Sequence, residues 1–142
     1  MIPATGRVLA VDWGSNRIGI AVSDETQLVA TALATLHRRR GRRFPLGPFL
    51  DLVDREHPVG LLVGLPVDDE GREGESALAA RALGESLARR IGLPLEWSDE
   101  NFTTRDTLHH LRTAGSSTSL DRIDAQAAAT LLQEWLDSRA RR

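Results

Sequence analysis

Val8-Leu-Ala-Val-Asp12-Trp-Gly14-Ser-Asn-Arg17-Ile-Gly19-Ile-Ala-Val-Ser-Asp24 is the stretch that decides the fold. It reads as two short strands joined by a tight turn. Val8 to Val11 is an unbroken apolar run, the pattern of a strand covered on both faces. Asp12 falls where that strand ends, Gly14 lets the backbone turn, and Asn16 tolerates a left-handed conformation. Ile18 to Val22 resumes as a second apolar strand. A carboxylate at the mouth of a buried strand is costly unless a partner neutralises it. A metal ion or a hydrogen-bonded phosphate ligand would serve, so other acids that converge on Asp12 are the next thing to find.

Outward from this hairpin, Arg7–Trp13 and Arg17–Ser23 are the first two strands. Leu28–Leu36 is a weaker alternating strand that completes an antiparallel meander. Met1 to Gly6 reads as a short leader. A basic loop, His37 to Arg43, leads into a helix over Phe44–Glu56 that ends before His57-Pro58. Val59–Pro66 is a second fully apolar strand, followed by an acidic, glycine-containing loop over Val67–Gly74. Glu75–Ile91 is a helix, with Leu78, Ala82, Leu87 and Ala88 assigned to its core face and Gly92 to its C-terminal cap. Leu93–Asp99 is a short strand. Thr103 caps a helix running to Thr113, with Asp106 at the capping-box position. Ala114–Ser119 reads as a loop of small residues, and Asp121 or Arg122 opens the last helix, which runs to Arg139. Strand–helix–strand units favour parallel neighbours. The expected fold is therefore α/β: a mixed five-stranded sheet, antiparallel meander plus parallel strands, with helices on both faces, in a single domain over residues 1–142.

Composition narrows the function classes. The chain has 142 residues, enough for a real core, and a net charge of −2, so it is no generic polycation. Every basic side chain apart from the histidines is Arg, and Cys is absent, which excludes disulfides and thiolate metal sites. No apolar run approaches the roughly 20 residues that span a bilayer, and no signal-peptide pattern opens the chain. The expected location is cytoplasmic, with no membrane partner.

Ligands of open α/β sheets gather at the carboxyl ends of strands. Asp12 lies at one such end and Asp99-Glu100 at another. Asp124 lies in Ile123-Asp124-Ala-Gln-Ala-Ala-Ala, the small-residue composition of a helix packed close to a sheet. Near the start of that helix it would also favour the positive dipole end. Three such carboxylates suit hard divalent cations. Two ions roughly 3.5–4 Å apart activate water and stabilise a leaving oxygen in phosphodiester cleavage. Each acid also has a structural reading. Asp12 can accept backbone N–H groups in the turn, Glu100 can cap the next helix, and Asp124 can be a plain helix charge. In a strand, Asp99 faces away from Glu100. His37-Arg38-Arg39-Arg40-Gly-Arg42-Arg43 is either a phosphate-tracking cluster or a solvated loop, and Arg17 and Arg122 are further candidates for phosphate contact. Trp13 can stack on a base or pack internally. An Asp-x-Gly-Ser turn after a strand also occurs in sugar kinases and actin-like ATPases, but those clasp ATP between two such domains.

The motifs together resemble the YqgF/RuvX family of RNase H-like nucleases. The resemblance runs from about Gly6 to Leu136. It is carried by Ala10-Val-Asp12-Trp-Gly14-Ser-Asn-Arg17-Ile-Gly19-Ile-Ala-Val-Ser-Asp24, by Val63-Gly64-Leu-Pro66 with Gly71 and Gly74, by Asp99-Glu100-Asn101-Phe102-Thr103-Thr104, and by Asp124-Ala-Gln-Ala127-Ala128 with Leu132-Gln133. The resemblance implies an RNase H-like fold and a metal-dependent phosphodiesterase. Asp12, Glu100 and Asp124 would be its catalytic and metal-ligating residues, using Mg²⁺ or Mn²⁺ at a two-metal site. Gly14, Asp24, Asp99, Thr103 and Thr104 would support them. Structured RNA in 16S rRNA maturation is the expected substrate, and branched DNA, a Holliday junction, is the alternative. A monomer or a homodimer fits. A non-catalytic nucleic-acid-binding module is the remaining reading. Asn101 stands where the family carries Arg, and Gly115–Ser119 is neutral where the family is basic; both remove charge that would hold a phosphate backbone.

Overall fold

The computed structural model describes residues 1–13, 17–38, 44–65, 75–98 and 117–140. Five strands form one sheet: β1 Val8–Asp12, β2 Arg17–Ser23, β3 Ala30–His37, β4 Gly60–Gly64 and β5 Leu95–Trp97. Three helices are described: α1 Leu46–Glu56, α2 Glu75–Ile91 and α3 Ser117–Ala140. The expected helix over 103–113 and loop over 67–74 lie outside the described residues.

The sheet order is β3-β2-β1-β4-β5. β1 runs antiparallel to β2 and parallel to β4, β2 and β3 are antiparallel, and β4 and β5 are parallel. The mixed sheet expected from the sequence is therefore present, with β1 at its centre. Every residue of β1 and β4 is buried, as their unbroken apolar runs require.

Two apolar layers cover the sheet. On one face Leu9, Val11, Ile20, Leu61 and Val63 pack with Phe49 and Leu52 of α1 and with Leu87 and Ala88 of α2. On the other, Val8, Ala10, Ala21 and Leu62 pack with Ala128, Ala129, Leu131, Leu132 and Leu136 of α3. Strand alternation assigns these faces. Asp12 shares the parity of Val8 and Ala10, so it faces α3.

Leu33 is the extra residue of a bulge in β3, where the pairing shifts from Ile20↔Ala34 to Ala21↔Ala32. The bulge exchanges the faces along the strand. Ala30 and Ala32 pack on the α3 side, whereas Ala34 and Leu36 pack on the α1 side.

Four expectations are corrected. The leader is anchored: Ile2 is fully buried in the α3-side layer, its N–H donates to Glu96 Oε2 at 3.0 Å, and Arg139 donates to its carbonyl. α2 has the expected bounds but presents Ala77, Ala80, Gly84, Leu87 and Ala88 inward, leaving Leu78 66% exposed and Ala82 exposed. Small residues face inward because the helix lies close to Trp97: a Cβ on Gly84 would come within 2.8 Å of that indole. α3 begins at Ser117, not at Asp121 or Arg122, so the expected loop over 114–119 is helical from Ser117. Asp124 therefore lies two turns inside the helix, beyond the first-turn reach of the dipole. Gly92 caps α2 as expected, with φ +70 and its N–H donating to Ala88 O.

Candidate active site

The site lies at the carboxyl ends of β1, β4 and β5. Asp12 closes β1 directly opposite Gly19 of β2. Gly19 is also the point where the sheet meets α3: a Cβ there would lie 1.9 Å from the carbonyl oxygen of Asp124. The helix thus rests on the bare backbone of β2 beside Asp12. Asp12 is 6% exposed and Asp124 is 2% exposed. Through Gly19, the backbone that carries Asp124 is brought beside the strand that ends in Asp12, more than a hundred residues earlier in the sequence.

Arg17 opens β2, two residues from Gly19 on the same face. Its Nε stands 4.0 Å from Asp124 Oδ2, and its side chain is 27% exposed. The cation lowers the cost of burying the carboxylate and keeps one side open to solvent. On the sequence, Arg17 is only a candidate for phosphate contact; its partnership with Asp124 depends on where α3 docks.

Around this centre, Trp13 packs rather than projects. Its ring stacks on Phe44 with centroids 6.1 Å apart, and the Arg38 guanidinium lies 4.8 Å above it. His37, paired with Arg17 across the β2–β3 ladder, is exposed at the same end. Arg122 is exposed two residues before Asp124, about half a turn away on the helix. It lines a groove of about 460 Å³ between β3 and α3, together with Ala32, Leu33, Thr35, Ala125 and Gln126.

Asp24 does not join the site. It follows β2 at the opposite end of the sheet, where it accepts from Leu28 N at 2.8 Å, Val29 N at 3.0 Å and the Thr26 hydroxyl. These donors, the Thr26 hydroxyl foremost, lower its pKa from 3.8 to about 2. Its role is to hold the turn between β2 and β3. A larger cleft of about 690 Å³, lined by Gly6, Arg7, Glu25, Arg55 and Glu56, also opens at that far end. Gly14, Arg39, Arg40, Arg42, Arg43, Asp99, Glu100, Asn101, Thr103 and Thr104 lie outside the described residues. The chain is last described on this side at Ser98, whose N–H donates to Val63 O at the site end of the sheet. Among the described residues, no third acid or histidine completes a metal-holding group with Asp12 and Asp124.

Nothing in the sequence singles out Gln27, and Gln133 stands out only as part of the last helix's motif, with no role attached. Gln133 on α3 bonds Ala30 N and Leu28 O, each at 2.9 Å. Gln27, at φ 58, bonds Pro3 O and Gly6 O. Both lock the far end of the sheet to its neighbours.

A mixed sheet of this order, with a buried aspartate ending its central strand and a second carried by its last helix, places the chain in the RNase H-like fold class. The fold is similar to the Thermus thermophilus RuvC chain solved in complex with a Holliday junction substrate. The TM-score is 0.55 at 19% identity, over 95% of this chain and 96% of that one. The chain belongs to the RuvX family, whose model, described as a Holliday junction resolvase, matches residues 6–138. A relative named "Putative pre-16S rRNA nuclease" from Anaeromyxobacter sp. (strain Fw109-5) is 42% identical over 94% of this chain and 98% of its own length. A Mycolicibacterium paratuberculosis relative of the same name is 41% identical over 96% of this chain and 83% of its own.

Proposed function

We propose that this protein is a cytoplasmic, divalent-metal-dependent nuclease that hydrolyses phosphodiester bonds of precursor 16S ribosomal RNA. The observation that supports the reading is the burial of both Asp12 and Asp124, with the Asp124 backbone seated on Gly19, the cross-strand partner of Asp12. The names of the relatives support the substrate.

The donor set fits Mg²⁺ or Mn²⁺: hard carboxylate oxygens, sheltered, from two separate elements. Asp12 and Asp124, with Glu100, would hold one or two such ions. When bound, the ions supply positive charge to the phosphodiester and make water a better nucleophile. The protein's own part is positional. β1 fixes Asp12 because every strand residue before it, Val8 to Val11, is locked in the core. α3 fixes Asp124 by its backbone contact with β2. Arg17 balances Asp124 and presents a planar, permanently charged donor to a phosphate. The groove between β3 and α3, with Arg122 on its wall, offers a path for the strand beside the site.

The test is cleavage of a 16S precursor fragment in Mn²⁺, with a four-way DNA junction and unstructured RNA alongside. Wild-type protein should cut the precursor, and Asp12→Asn should lose cleavage while melting as a folded chain. Undiminished cleavage by Asp12→Asn removes the proposal. The family description favours the junction as the second substrate. Symmetric cutting of a junction requires a dimer, so preferential junction cleavage by a dimeric species would replace ribosomal RNA with branched DNA.

A further inference from the structure

We infer that Gly19 is a positioning residue that sets the depth of Asp124 in the site; the inference rests on the nuclease reading above. A Cβ at position 19 would lie 1.9 Å from the Asp124 carbonyl oxygen, 2.6 Å from the Asp124 carbonyl carbon and 3.2 Å from Ala125 N. All three are backbone atoms of α3, so no side-chain rotation relieves the collision. Other glycines are different: at Gly60 the nearest atoms belong to the Ile2 side chain, and at Gly84 to the Trp97 ring. Gly19 alone among them sets the distance between the sheet and the backbone of the residue that carries a site carboxylate.

The ladder explains why this depth matters. Gly19 is the direct cross-strand partner of Asp12, and both face α3. The glycine therefore forms the floor under Asp124 at the level of Asp12. A methyl group there must be accommodated by lifting the helix. Ordinary van der Waals contact begins at 3.4 Å, so the helix backbone must retreat by about 1.5 Å at this point. Glutamate is longer than aspartate by one carbon–carbon bond, about 1.5 Å. Gly19→Ala and Asp124→Glu are thus displacements of similar size and opposite direction.

The experiment compares Gly19→Ala, Asp124→Glu and the double variant in kcat, KM, thermal melting and crystal structure. A displacement of this order costs about 100-fold in turnover. Each single variant should lose roughly that much kcat, with KM changed far less. The double variant should recover at least about tenfold over Gly19→Ala, where independent effects would multiply to about 10⁴-fold loss. Losses that multiply, or full kcat in a folded Gly19→Ala, overturn the inference. Should Gly19→Ala fail to fold, Ala21→Val takes its place. It lies on the same strand and face under α3. It should lose turnover by a smaller factor and be rescued by Asp124→Glu in the same sense; no rescue overturns the inference. The crystal structure separates the two levels of the argument. A wild-type protein that cleaves nothing sinks the nuclease reading, whereas α3 unmoved in Gly19→Ala sinks the role of Gly19 whether or not cleavage occurs.

Discussion

Replacing Arg17 with Met tests how Asp124 tolerates its burial. Met keeps most of the stem and removes the charge. At 4.0 Å, two unit charges interact by about 4 kcal/mol at an effective dielectric constant of 20. That figure is a ceiling. Arg17 is 27% exposed, so water screens part of the attraction. Removing the guanidinium also recovers its own desolvation cost. The net loss should be about 1–3 kcal/mol. At about 3 °C per kcal/mol for a chain of this size, Arg17→Met should melt roughly 3–9 °C below wild type in EDTA. The guanidinium and a divalent cation both neutralise the same carboxylate, so each weakens the other. The same 1–3 kcal/mol should therefore appear as about 5- to 150-fold tighter Mn²⁺ binding by the variant, at 1.4 kcal/mol per tenfold. Differential scanning calorimetry with and without Mn²⁺, and isothermal titration, measure both quantities. A variant that melts at or above wild type in EDTA, or binds Mn²⁺ no more tightly, refutes the reasoning.

Other outcomes follow from the packing and the turns. Asp24 has a folded pKa of about 2 against an ordinary 3.8, so its contribution is complete above about pH 4 and is lost as pH falls through 2. Asp24→Asn should therefore melt below wild type at pH 7 and converge with it near pH 2, which paired melts at the two pH values would check. Phe49 is fully buried against Phe44 at 5.4 Å, and Phe49→Ala should cost about 3–5 kcal/mol in urea unfolding. Gln133→Ala removes the links from α3 to Ala30 and Leu28 and should cost about 1 kcal/mol. Amide exchange at Ala30 should quicken in that variant.

What the sequence made legible was whatever rests on local patterning. The apolar runs Val8–Val11 and Leu61–Val63 announced strands buried on both sides, and β2 and α2 have the bounds their composition indicated. Asp12 stands out in the sequence as a candidate because a carboxylate ending such a run demands a partner. Asp124 was not distinctive by itself, since its neighbourhood also suits an ordinary helix charge. Its meaning comes from docking: Gly19 admits the α3 backbone, a contact that no periodicity encodes. α3 starts earlier than its sequence suggests because Ser117-Thr-Ser119 is weakly helix-forming and reads as a linker. The inward face of α2 was misplaced because apolarity favoured Leu78, whereas close approach to Trp97 selected Ala77, Ala80 and Gly84. The bulge at Leu33 leaves no trace in composition, because Ala30, Ala32, Ala34 and Leu36 keep one unbroken apolar alternation although they face opposite sides.

The place of α3 in the chain bears on biosynthesis. Asp12, Arg17 and Gly19 are translated before any described helix, whereas Asp124 comes out after every described strand of the sheet. A nascent chain halted before α3 holds one acid of the pair and leaves Val8, Ala10, Ala21 and Leu62 without their cover. On the proposed reading, hydrolytic competence and the closing of that layer thus both wait for α3. On the proposed reading, an incomplete product would be both inert toward RNA and conspicuous to chaperones and proteases.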